Sequence, residues 1–117
     1  MIQIRGAEKL EKSIRLFIPN NNEAEKKHAN ILFDNLTNCL EGFTVTKGKG
    51  VYKMKATNTV INENCFVVDI LLNGDEGPIK AVISHLKEYG INAHEEAVLF
   101  SINGVSYIAD PNNLGVW

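Results

Sequence analysis

An α+β fold, a two-layer sandwich of an antiparallel sheet and two helices, is what this 117-residue sequence predicts. Three observations carry that expectation. Two segments, near 22–41 and 76–89, repeat apolar residues at helical spacing, while shorter segments around them alternate at period two. Asn103-Gly104 separates two apolar runs. That dipeptide marks a type I′ hairpin, whose two central positions both need positive φ.

"SIRLFIPN" (13–20) is the first expected strand, with Ile14, Leu16 and Ile18 on one face, Arg15 and Phe17 on the other, and Pro19 ending the ladder. "NNNEAEKKHANILFDNLTNCLEG" then reads as a helix. Asn21 or Asn22 suits its N-cap, Glu23 and Glu25 its positive end, and Gly42 its C′ position. Ala29, Leu32, Phe33, Leu36 and Leu40 form its buried stripe. "FTVT" (43–46) reads as a short strand, followed by a glycine-bent hairpin excursion to about residue 63.

"CFVVDILLN" (65–73) is nearly all apolar, as a central strand covered on both faces would be, with Asp69 its one charge. "DEGPIKAVISHLKEYG" is the second helix: Pro78 falls in its first turn, Ile79, Val82, Ile83 and Leu86 make the stripe, and Gly90 ends it. The two carboxylates of "GDEG" (74–77) read as caps at its start. "EAVLFSINGVSYIAD" supplies the last hairpin, and "PNNLGVW" reads as a loosely held arm ending in Trp117.

Strand, helix, strand, excursion, strand, helix, strand is the split βαβ order of a ferredoxin-like sandwich, here with one extra C-terminal strand. Without a repeat or linker, residues 1–117 are expected to form a single α+β domain. In element order, and in "RLFIPN" and "AVLFSINGVSYIAD", the chain resembles short ferredoxin-like proteins encoded by phages and mobile elements. That resemblance implies a small phage protein, in one form a sponge that sequesters a host signalling nucleotide and so counters an immune pathway.

Composition narrows the chemistry. With 44% hydrophobic and 22% charged residues the chain belongs among folded proteins rather than disordered ones. "MIQIRGAEKLEKSIRLF" lacks the apolar core of a secretory signal, so a cytoplasmic location is the expectation. Cys39 and Cys65 are too few for a disulfide scaffold and read as small hydrophobes. His28, His85 and His94 lack zinc-ligand spacing, and no cofactor or metal motif is present in the sequence. A net charge of -2 provides no general attraction for nucleic acid, although residues 1–62 carry ten basic and six acidic side chains.

Two features remain as candidate sites. "TKGKGVYKMKATN" (46–58) sets four lysines against no carboxylate. Lys47, Lys49, Lys53 and Lys55 would hold an anion as point charges, with Tyr52 as a stacking surface and Arg15 as a second grip. An edge hairpin guarded by lysines would look the same, and no Walker spacing is present. The second feature is the sheet face away from the helices. Phe17, Val67, Asp69 and Leu71 would share it with Arg15, joined by Leu99 or Phe100 according to register. A bare apolar face of that size calls for cover by a second copy, or by the chain's own ends. On this face an Arg15–Asp69 ion pair is the plain expectation.

The leading reading is a non-catalytic, homo-oligomeric binder of an anionic nucleotide-like molecule, with no membrane partner and nucleic acid less favoured. A protein-blocking interaction module is the alternative. A small enzyme using His94 with Glu95 or Glu96 as acid and base is the third.

Overall fold

The computed structural model describes residues 4–73 and 76–116, apart from the side chains of Tyr52 and Met54. Strand β1 (Lys12–Pro19) leads into helix α1 (Glu23–Cys39), and a long hairpin of β2 (Thr44–Met54) and β3 (Thr59–Leu72) follows. Helix α2 (Gly77–Asn92), β4 (Val98–Ile102) and β5 (Val105–Ala109) complete the order. The sheet is antiparallel throughout, arranged β2-β3-β1-β4-β5. It has the ferredoxin-like layout with β5 added at one edge. No helix among the described residues is long and apolar enough to cross a membrane.

Alternation along the strands decides where the core sits. Ile14, Leu16 and Ile18 of β1, Val68 and Ile70 of β3, and Val98 and Phe100 of β4 all point to the helix layer and are buried. They meet Ala29, Leu32 and Leu36 from α1 and Ile79, Val82, Ile83 and Leu86 from α2. Each fully buried aliphatic side chain here contributes about 1.5–3 kcal/mol relative to exposure, so these two stripes fix both helices to one face. Phe33 and Phe66 pack edge to face, with ring centroids 5.3 Å apart. Phe43 extends the same cluster beside Phe33.

The other sheet face is bare. Phe17 pairs with Val67 on one side and Leu99 on the other, so Leu99, not Phe100, shares this face. Leu71 is 64% exposed and Ile108 72%, so neither chain end blankets it among the described residues. Arg15 and Asp69 stand directly opposite each other in register.

Several sequence expectations shift. The lysine-glycine segment is not a bent excursion. β2 runs unbroken to Met54 against Thr59, so β3 begins at Thr59 rather than Cys65. Neither Gly48 nor Gly50 has positive φ; Asn58, at φ 57°, helps turn the hairpin. β1 pairs with β3 only up to Pro19–Cys65, so residues 44–64 include a two-stranded ribbon reaching past the sheet.

Helix α1 ends at Cys39 with Leu40 in extended conformation as its cap, one residue short of the terminus expected from Gly42 at C′. Gly90 lies inside α2, which continues to Asn92. It is needed there for closeness: a Cβ on Gly90 would stand 2.5 Å from Pro111 Cγ. Glu76 makes no side-chain cap bond, and Gly74 and Asp75 lie outside the described residues. The C-terminal arm is docked rather than loose. Pro111 and Leu114 are buried, and Lys87 Nζ donates to the Leu114 carbonyl at 3.0 Å. Trp117 lies outside the described residues. The Asn-Gly turn forms as expected, with φ of 51° at Asn103 and 82° at Gly104.

Candidate functional site

Three element ends meet beside the ribbon: the C-terminal end of β1, the N-terminal end of α1 and the C-terminal end of α2. At α1, Asn22 Oδ1 accepts from the Glu25 backbone N–H at 2.8 Å, and Glu25 Oε1 accepts from the Asn21 N–H at 2.8 Å. This reciprocal cap satisfies two backbone donors, and it also draws the Glu25 carboxylate into a buried position. At α2, the chain reverses through His94, held at φ 58°. The Glu95 N–H then donates to the Gly90 carbonyl at 2.9 Å. Tyr89 Oη donates to the Pro19 carbonyl at 3.0 Å and ties that helix end to β1.

The result is a cleft of about 440 Å³ bounded by Phe17, Pro19, Glu25, Gly50, Glu63, His94, Glu95, Glu96 and Leu99. Its lining combines apolar Phe17, Pro19 and Leu99 with four carboxyl groups, of which Glu63 lies on the same sheet face as Phe17 and Leu99. Their charges are not independent. Burial, then the hydrogen bond and charge of Glu25, then the charge of Glu63 push the Glu95 carboxyl up to about 8. Burial would raise Glu25 as well, but hydrogen bonds from Glu95, Asn21 and Asn22 outweigh it and hold its pKa below the ordinary range. Near neutrality the pair therefore holds one proton between its two carboxyl groups. Burial first, then the charges of Glu95 and Glu25, raise Tyr89, so its phenol stays neutral.

Such a site suits a cation with an apolar or aromatic portion. The carboxylates favour positive charge, and Phe17 and Leu99 give a flat, greasy flank. No group of three His, Cys, Asp or Glu side chains among the described residues converges closely enough to hold a metal ion.

The residues expected from the sequence are distributed otherwise. Lys47, Lys49 and Lys53 share the helix-layer face of the ribbon, because their neighbour Val45 stands opposite Val68 and the alternation continues from there. Lys55 lies in the turn. Arg15 is on the opposite face of the sheet, where its Nε donates to Asp69 Oδ1 at 2.7 Å, the ion pair expected there. The structure therefore does not bring Arg15 to the lysines. The Tyr52 side chain lies outside the described residues. Phe17, Val67, Asp69, Leu71 and Leu99 do share one face, as their alternation implies.

Glu25 and Glu63 escaped the sequence reading. From the sequence Glu25 suits only the positive end of α1; the structure makes it a reciprocal cap, and the packing of α2 against α1 turns that cap into part of a site. Glu63 falls in the segment read as a glycine-bent hairpin excursion, and no apolar alternation in residues 60–64 marks it as part of β3. His94, Glu95 and Glu96 were named for the enzyme reading, and all three border the cleft.

No protein-family model matches the sequence, and no curated protein matches it. Solved structures are similar in fold. A phage SAM lyase in complex with S-methyl-5′-thioadenosine superposes with a TM-score of 0.64 at 17% identity, over 92% of this chain and 96% of that one. A phage SAM lyase in the apo state gives a TM-score of 0.61 at 19% identity, over 89% and 94%. At these identities the likeness establishes a shared fold.

Proposed function

We propose that this protein binds the adenosyl sulfonium S-adenosylmethionine in the acidic cleft and cleaves it to S-methyl-5′-thioadenosine. One observation carries the reading: Glu25, Glu63, Glu95 and Glu96 line the same cleft of about 440 Å³ as apolar Phe17 and Leu99. A sulfonium bears a permanent positive charge beside an apolar, stackable adenosine, and the cleft offers a partner for each part. The similar fold of phage SAM lyases supports the same ligand class.

The chemistry asks little of the protein. The carbon–sulphur bond to the four-carbon chain breaks with its electron pair going to sulphur. That chain's own carboxylate closes on the vacated carbon, so no water or cofactor is consumed. Two opposite charges disappear in the step, and an apolar flank that excludes water favours a charge-cancelling transition state. On this reading the carboxyl groups hold and orient the sulfonium, and Phe17 and Leu99 seat the adenosine.

A second reading is retention without turnover, as in a nucleotide sponge. Glu25 is committed to capping α1 and the Glu95 carboxyl is pushed up to about 8, so this pair presents less free charge to orient the sulfonium than two ionised carboxylates would. We also propose self-association through the bare sheet face, where Phe17, Val67, Asp69, Leu71 and Leu99 lie. Phe17 and Leu99 belong to both face and cleft, so a second copy seated there would close the cleft.

The test is incubation of purified protein with S-adenosylmethionine, followed by chromatography for methylthioadenosine. Product that disappears in Glu95→Ala supports the lyase. A rise in melting temperature with methylthioadenosine, but no turnover, supports retention. Neither product nor a thermal shift with either molecule overturns both readings.

A further inference from the structure

The opposite face of the ribbon carries a second cleft with opposite chemistry. It is the larger of the two, about 560 Å³, and lies between the first turns of α1 and strands β2 and β3. Lys26 and Asn30 enter it from α1, four residues apart and so on one helix face. Lys47 enters from β2, opposite Phe66 of β3, while Asn20 and Asn64 close one end. The backbones of these last two are tied by an Asn20 N–H to Asn64 carbonyl bond of 2.9 Å, which fixes that end of the cleft.

Among the described residues no carboxylate borders this cleft. Glu23 reaches Lys26 only at 3.8 Å and is itself 95% exposed, a surface contact that a bound anion would readily displace. The side chains of Asn20, Asn30, Lys47 and Asn64 make no hydrogen bond or ion pair with other described residues. Two ammonium groups and three amides thus converge on one concavity with donors to spare, beside the edge of an aromatic ring.

We propose that this cleft is a second binding site, for a phosphorylated small molecule of nucleoside monophosphate size. Two ammonium groups match the charge of a phosphate. Carboxamides both donate and accept, as recognition of sugar hydroxyls or a base edge requires. The volume falls in the range of small-molecule pockets, roughly 300–1,000 Å³. Lys49, opposite Asn64 on the same ribbon face, extends the positive charge past the mouth of the cleft. A sulfonium would be repelled here, as a phosphate would be from the acidic cleft. The two sites are therefore distinct in ligand class, although Cys65 borders both.

The experiment is calorimetric titration of the full chain with AMP, adenosine and inorganic phosphate, using wild type, Lys47→Glu, Asn30→Asp and Glu95→Gln. AMP is expected to bind the wild type more tightly than adenosine does. Its affinity should fall at least tenfold in both Lys47→Glu and Asn30→Asp, and remain unchanged in Glu95→Gln. Lys47 and Asn30 are exposed, and circular dichroism verifies that the variants keep the fold. Methylthioadenosine binding that persists in Lys47→Glu separates this site from the acidic one, and a failure of the lyase reading leaves the AMP result standing. Absent AMP binding, equal binding of adenosine and AMP, or AMP binding lost in Glu95→Gln but kept in Lys47→Glu would overturn the proposal.

Discussion

The Glu95 carboxyl is hydrogen-bonded to that of Glu25, joining the loop after α2 to the first turn of α1. The two carboxyl groups come from residues seventy positions apart in the chain; Glu25 is buried and Glu95 half-buried. Their shared proton makes the junction sensitive to pH.

The sign follows from linkage. Glu95 titrates at about 8 in the folded protein, against roughly 4.3 when unfolded. Between those values the native state holds a proton that the unfolded chain has released, so stability falls as pH rises through that window. Glu25, lowered in the fold, contributes stability above its unfolded value and loses it as pH falls through the folded one. Thermal unfolding should therefore give its highest melting temperature near pH 5 and decline toward pH 8.5. Glu95→Gln should flatten that decline, because the amide cannot titrate. An equally steep decline in Glu95→Gln, followed by circular dichroism, would place the pH sensitivity elsewhere.

Gly90→Ala tests the seat of the C-terminal arm. The added methyl would stand 2.5 Å from Pro111 Cγ and 3.1 Å from Val98 Cγ1, in a spot that is already buried. Overpacking of this kind costs about 1–3 kcal/mol, despite the better helix propensity of alanine. Chemical denaturation should show the loss, and Pro111→Ala in the same background should recover part of it. A Gly90→Ala variant as stable as wild type would mean that the arm moves aside without penalty.

Self-association is best probed away from the cleft. Leu71 lies on the bare face with 64% of its surface exposed, and it does not border the acidic site. Leu71→Lys should convert an assembled wild type to monomer on sizing with light scattering, with melting temperature little changed in dilute solution. A monomeric wild type at micromolar concentration contradicts the proposal outright.

Local patterns were enough for most of the architecture. The stripe Ala29, Leu32, Leu36 can be buried only as a helix face, and Ile14, Leu16, Ile18 only as a strand face. Asn103-Gly104 needs no tertiary help to turn. Boundaries read less well where the deciding contact is distant. Gly90 looks like a helix stop because glycine usually is one, yet here it admits Pro111, twenty-one residues on. Gly48 and Gly50 look like bends, yet pairing with Cys65 and Glu63 keeps them extended.

By itself, then, the sequence determined the layers: hydrophobic period is a local property, and one face of each element had to leave water. Only tertiary structure decided the sites. Glu25, Glu63 and Glu95 come from a helix, a strand and a loop, and nothing in their separate neighbourhoods predicts that they will line one cleft. The sheet also sorted the charges by parity, sending Lys47 to one face and Arg15 to the other. Period two fixes which residues share a side within one strand, but the register between strands, set by long-range pairing, determines which sides coincide.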